Sequence, residues 1–383
     1  MYIADNKCRI PKAQQEVIDI INGYMKHEGT IWELYTELFS HTDKWCYYPN
    51  FTLKGFSLDH ILDNGNEAVR FIQMYFLCGG KYMIARDIEN YCRPERATHS
   101  ISTFFLGILL LPLFKKHHAY IDAPKDKTFL WLWFLTCLYH DMAYKFEKDE
   151  NYHPTLKNFV RDNRITYQIL NDRTIRLKGV TKKTVRAYYR YRINGCGCVD
   201  HGITGGILLY NSLRQNYEEV YNYCHEIDNN INHDNFVWNG LHLSSSHFRE
   251  YAKCANAIIQ HNLWFKAPGQ KDFEKYVDYH LDELIYSPSA KPYYKDWLTA
   301  LLVFCDTIEP VKRFLNSTPS SLLKEMRLEF DDDGTYLIIS FNKSCVNPTS
   351  YIEPVNEMED WTNLTIQLDG QKIIISDINK MYK

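Results

Sequence analysis

Two strongly apolar runs, residues 101–114 and 128–139, constrain this chain more than any other feature. Each falls short of the roughly 20 apolar residues that a helix needs to cross a bilayer. Bulky Leu, Phe and Trp side chains cover most faces of both, so neither suits a half-exposed surface helix. They predict a buried helical hairpin, with helices over residues 98–114 and 128–146 and a polar link at 115–127. Other elements must cover such a hairpin. The chain has 383 residues, 45% hydrophobic and 24% charged, which is enough to do so.

The rest of the chain divides by periodicity. Residues 1–95 read as a helical N-terminal region, with helical spacing at 13–27 and 31–39 and breaks at Asn64-Gly65-Asn66 and Gly79-Gly80. After the hairpin, helices are predicted over residues 199–213, 247–264 and 293–308, the last stopping before Pro310. The polar stretch 214–246 reads as an insertion or irregular excursion. From Met326 the period changes to two, with a hairpin at 327–341 and a second at 364–376 turning at Asp369-Gly370. The expected fold is therefore mainly α: a helical bundle core at 96–318, the helical region at 1–95, and a small β appendage at 319–383.

Forty-four basic against 47 acidic residues leave a formal charge of −3, which argues against a surface coated for nucleic acid. One stretch departs from that balance. Residues 161–192 carry ten Lys or Arg against Asp162 and Asp172, with Tyr167, Tyr188, Tyr189 and Tyr191 interleaved. It reads as a solvated face, a phosphate-binding surface or a nucleic-acid contact. The opening residues show no apolar signal segment, and the 11 cysteines are scattered, so a reduced, cytoplasmic setting is expected. Cys196-Gly197-Cys198 lacks the second pair that structural zinc requires, so free thiols are expected there.

The chemistry concentrates on histidines and carboxylates at the ends of apolar helices. His140-Asp141 lies in the apolar helix predicted over residues 128–146, where an unpaired carboxylate is expensive. A metal would account for it; a buried His-Asp hydrogen-bond pair is the competing reading. His99 lies near the start of the preceding helix, His201 opens another, His261 ends a third, and Asp306 ends a fourth. Helical bundles build metal sites from side chains placed in this way. His225, His233, His242 and His247 stand in polar sequence and read as solvated.

The ordered set His99, His140-Asp141, His201, His261 and Asp306 resembles the HD-domain metal-dependent phosphohydrolase superfamily. The stretches 96–100 (RATHS), 138–145 (LYHDMAYK) and 304–307 (FCDT) carry the likeness, which covers about residues 96–318. The resemblance implies an HD-type bundle holding one or two divalent ions, with Mn, Fe, Mg, Ni, Co and Zn not distinguished. Asp141 would bridge two ions, His99, His140 and Asp306 completing one shell and His201 and His261 holding the second. A metal-activated hydroxide would attack phosphorus in a nucleotide or cyclic nucleotide. Catalytic roles fall to Asp141, His140 and Lys145, the last four residues after Asp141 where many members have a lysine at three. Arg96, Arg186, Arg190, Arg192 and Asn262 are substrate-binding candidates, and Trp264 a pocket neighbour. The expected partner is a phosphorylated small molecule. The alternatives are a nucleotide-binding regulatory module without turnover and a nuclease using 161–192.

Overall fold

The computed structural model describes residues 28–48, 50–111, 113, 129–148, 182–238, 241–266, 268–286, 297–314, 317–331, 336–342, 349–362 and 364–378. The expected helix at 13–27, the link at 115–127 and most of the basic stretch 161–192 lie outside the described residues.

Strand β1 (Glu28–Thr30) leads into helix α1 (Ile31–Ser40). Thr30 caps it: its hydroxyl accepts the Glu33 N–H at 3.1 Å, and the Glu33 carboxylate accepts the Thr30 N–H at 2.9 Å. Then follow α2 (Thr42–Trp45), α3 (Leu58–Asp63), α4 (Gly65–Cys78), α5 (Tyr82–Tyr91) and the buried α6 (Pro94–Leu110). The second apolar run forms α7 (Phe129–Cys137), followed by α8 (Tyr144–Lys148). Helix α9 (Lys182–Arg190) passes into a π-helical turn, Tyr191–Gly195. Helix α10 (His201–Ile227) precedes the small hairpin β2 (Phe236–Trp238) and β3 (Leu241–Leu243). Next come α11 (His247–His261), α12 (Phe273–Asp278), α13 (Leu281–Tyr286), α14 (Trp297–Ile308) and α15 (Pro319–Glu325). The chain then forms β4 (Met326–Phe330), β5 (Tyr336–Phe341), α16 (Thr349–Asn356), α17 (Met358–Trp361), β6 (Thr365–Asp369) and β7 (Lys372–Ser376).

The protein is mainly helical with a small antiparallel sheet. Both predicted C-terminal hairpins form, and β5 pairs with β7 to join them in the order β1-β4-β5-β7-β6. The edge strand β1 comes from the other end of the described chain, with Gly29 opposite Leu328. Leu337, Ile339 and Phe341 of β5 face inward in alternation and join a continuous apolar cluster that extends from Ile31 to Ile378. Among the described residues no helix is long and apolar enough to cross a membrane.

Glycines set the closest approaches. A Cβ on Gly107 of α6 would lie 2.0 Å from the Trp133 ring of α7, and that indole donates to the Phe104 carbonyl at 3.0 Å. On α10, a Cβ at Gly206 would lie 2.5 Å from the Ala255 carbonyl oxygen and 2.7 Å from Ile259 Cγ1 of α11. Backbone-to-backbone packing of α10 on α11 therefore depends on the missing side chain.

Two expected elements differ. The helix expected over 128–146 breaks into turns at 138–143. The His140 ring Nδ1 donates to the Cys137 carbonyl at 2.7 Å, and Met142 and Tyr144 N–H groups reach carbonyls only three residues back. The turns thus tighten around the His-Asp doublet. Helix α10 continues beyond residue 213 to Ile227 because Tyr217, Val220 and Cys224 form a further apolar stripe. That stripe packs with Phe236 and Leu243, so 214–246 is helix plus hairpin rather than an irregular excursion.

Candidate metal centre

Five separate elements deliver six polar side chains to one buried place. His99 comes from α6, His140 and Asp141 from the turns after α7, and His201 from the first residue of α10. His261 is the last residue of α11, and Asp306 lies in the last turn of α14. All six are buried. His99, His140 and Asp141 form one group suited to a metal ion, and Asp141, His201 and His261 form another, with ligand atoms in each within 4.8 Å of one another. Asp141 belongs to both. Its Oδ1 lies 3.3 Å from His201 Nε2, 3.6 Å from His140 Nε2 and 4.0 Å from His261 Nε2. Asp306 Oδ1 completes the first group, 2.8 Å from His99 Nε2 and 3.4 Å from His140 Nε2.

Each ring is held from behind. His140 Nδ1 donates to the Cys137 carbonyl and His261 Nδ1 to the Ile258 carbonyl, both at 2.7 Å. His99 Nδ1 donates to Glu309 Oε2 at 2.6 Å, and His201 Nδ1 is bonded to Glu147. All four Nε2 atoms are left to converge, the arrangement by which proteins orient imidazoles toward a cation. His140 Nε2 supplies the test of fit. It is buried and makes no hydrogen bond, while Nδ1 of the same ring donates to the Cys137 carbonyl. A buried ring nitrogen with no hydrogen-bond partner, facing two carboxylates, suits a divalent ion of the first transition row.

The electrostatics divide. Burial lowers His201 and His99, but Glu147 and Asp141 raise the first well above the ordinary histidine value, and Glu309 and Asp306 raise the second. With no cation present these two rings favour a proton, whereas the carboxylates are held ionised. Burial raises the Asp141 carboxyl, but His140, His201 and Arg96 outweigh it and hold the group well below the usual carboxylate range. For Asp306, Lys312, His140 and His99 outweigh burial in the same direction. Both carboxylates are therefore ionised and ready to ligate. His261 is pushed down to about 3, chiefly by burial and then by His201 and His140, so it is neutral.

That last shift makes a prediction. His261 titrates near 3 when folded and near its ordinary value of 6.5 when unfolded. As pH falls from 6.5, the unfolded chain takes the proton first and the fold is destabilised; above 6.5 there is no such effect. Chelator-treated wild type should lose about 1.4 kcal/mol per pH unit from this group between those values. Urea unfolding of wild type and His261→Gln at several pH values checks this: the difference between them should shrink as pH falls. A pH-independent difference would contradict it.

Four residues of the site escape sequence reading. Glu309 is fully buried; its Oε2 orients His99 and its Oε1 accepts the Val311 N–H at 2.9 Å. The signal was present: Asp306 and Glu309 stand one helical turn apart on one face. Lys312 places Nζ 2.5 Å from Asp306 Oδ1. Glu147 joins His201 to Arg192, and Asp200 caps α10 by accepting the Ile203 N–H at 2.7 Å. The turns before Glu147 erase any helical spacing from Asp141, so no sequence period pointed to it.

The remaining candidates fall unevenly. Arg96 reaches Asp141 Oδ2 at 3.2 Å and lies flat on Tyr144, 3.6 Å above the ring. Lys145 stays outside: it is exposed, and its ammonium donates to the Asn90 carbonyl at 3.1 Å. The tight turns carry it away, and the lysine that reaches the cluster is Lys312, at Asp306. Arg192 pairs with Glu147 and so braces His201. Arg186 is half-buried and Arg190 exposed on α9; neither is brought to the cluster. Asn262 donates to Asp200 Oδ2 at 2.6 Å and accepts from Trp264 Nε1 at 2.7 Å, so both support the start of α10. Cys196 and Cys198 are free thiols. His233 pairs with Glu218 and His242 is exposed, but His247 is buried beside Trp131, because α11 begins there. No protein-family model, curated protein or solved structure matches the chain.

Proposed function

We propose that the chain is a metal-dependent phosphohydrolase with an HD-type helical core, acting on a phosphate ester of a nucleotide or cyclic nucleotide. One observation carries the reading: four inward Nε2 atoms converge on two ionised buried carboxylates, with Asp141 common to both groups. His99, His140, Asp141 and Asp306 would hold one cation, and Asp141, His201 and His261 a second. When bound, such ions acidify water and neutralise phosphoryl oxygens. The chain's own groups do the rest. Glu309, Glu147 and the Cys137 and Ile258 carbonyls keep the imidazoles aimed. Arg96, braced on Tyr144, and Lys312 stand at the carboxylates, where a guanidinium and an ammonium can take phosphate oxygens.

The test is a product assay on the full chain loaded with manganese. Nucleoside triphosphates, cyclic nucleotides and short DNA and RNA strands are offered, and products are separated by chromatography. Tripolyphosphate, a ring-opened monophosphate and shortened strands identify three distinct reactions. Turnover of a mononucleotide is expected; metal retained without turnover of any would leave a binding module instead. Lys312→Met is expected to raise KM on the order of tenfold. An unchanged KM would remove Lys312 from phosphate binding.

A further inference from the structure

A second feature lies away from the metal cluster and does not depend on it. A cavity of about 270 Å³ is lined by Tyr82, Asn216, Glu219, Val220, Tyr223 and Trp238. Three elements build it. Asn216, Glu219, Val220 and Tyr223 follow the spacing of one face of α10 and form its floor. Trp238 of β2 and Tyr82 at the start of α5 form the sides.

Two parts of the lining are tied to the surrounding backbone. Asn216 donates to the Gly80 carbonyl at 3.0 Å and accepts the Met83 N–H at 3.1 Å, which clamps the start of α5 to α10. Gly80 has φ +65°, and a Cβ there would lie 3.3 Å from Cδ1 and Nε1 of Trp238. The indole therefore packs on bare backbone. Tyr223 meets Trp238 at 80° with ring centroids 5.4 Å apart, a perpendicular aromatic corner. Gln215 holds Glu219 Oε1 at 2.9 Å and orients the carboxylate. Tyr82 and Tyr223 are 44% and 48% exposed, large values for aromatic side chains. The lining has one carboxylate and no Lys or Arg.

Three aromatic rings and a carboxylate lining one open pocket select a cation with an apolar surface. A bare ammonium or a metal ion keeps its water, whereas a methylated ammonium sheds little hydration and gains both ring and charge contacts. We propose that this cavity binds an organic cation of the quaternary-ammonium class.

The experiment titrates the full-length protein with choline and, separately, with its neutral isostere 3,3-dimethyl-1-butanol. Calorimetry gives affinity, and ligand-observed NMR reads the upfield shift of methyl protons lying over aromatic rings. Saturable choline binding with that shift is expected, at least about fivefold tighter than the isostere. Tyr223→Ala and Glu219→Gln, both at the surface, should each weaken choline about fivefold or more while leaving thermal unfolding in place. Absence of saturable choline binding, equal binding of the isostere, or undiminished binding by Tyr223→Ala would each overturn the proposal.

Discussion

Replacement of Asp141 by alanine is expected to strip bound metal from the purified protein and to lower any metal-dependent turnover on the order of 10³-fold. Asp141 is the one residue shared by both ligand groups, so its loss removes an anionic ligand from each. The change also leaves Arg96 beside His99 and His140 without the carboxylate that it contacts at 3.2 Å. That adds positive charge where a cation must enter. Elemental analysis of wild type and variant reads the outcome directly. About two transition metals per chain in wild type, lost from the variant, is the expected pattern. A variant that keeps both its metal and its turnover would remove the phosphohydrolase reading. Asp141→Asn tests charge separately from shape: it preserves the side-chain volume, so retained folding with lost metal would locate the effect in the carboxylate.

The second large effect concerns stability. Gly206→Val is expected to destabilise the fold by roughly 3 kcal/mol or more. A single Cβ at this position already falls 2.5 Å from a backbone oxygen of α11, and 3.0 Å from the Ile259 nitrogen. Backbone cannot rotate aside as a side chain can, so the two helices must separate. Their separation pulls apart His201 and His261, whose ring centroids lie 5.1 Å apart. Urea unfolding should therefore show a lower midpoint, and the metal content of any folded fraction should fall toward that of the group made by His99, His140, Asp141 and Asp306 alone. A variant within about 1 kcal/mol of wild type, the centre of the distribution for point substitutions generally, would show that the crossing has slack.

The six clustered residues were legible because every member sits at an apolar helix, where a polar residue is conspicuous. His140-Asp141, His201 and Asp306 each interrupt or border a run of buried side chains. Lys312 was not read because Pro310 ends the helical pattern before it, whereas Glu309 stands at helical spacing from Asp306 and was overlooked. Lys145 misled for another reason. It was carried over from the family likeness at four residues after Asp141 rather than three, and the turns at 138–143 leave it exposed. The helix α10 was cut short because its later face is narrow and polar at the edges, and only packing on β2 and β3 justifies it.

Hydrophobic periodicity by itself determined that this chain is mainly helical, with two buried helices and two C-terminal hairpins. It did so because burial acts on each segment locally, leaving its period in the residue order. The tertiary structure decided everything that joins segments remote in the chain. β1 adds to β4 across almost the whole described length, α10 lies on α11 through bare glycine, and Glu309 reaches His99 from 210 residues away. Such pairings are set by shape and hydrogen-bond geometry in three dimensions, and neither leaves a period in the chain.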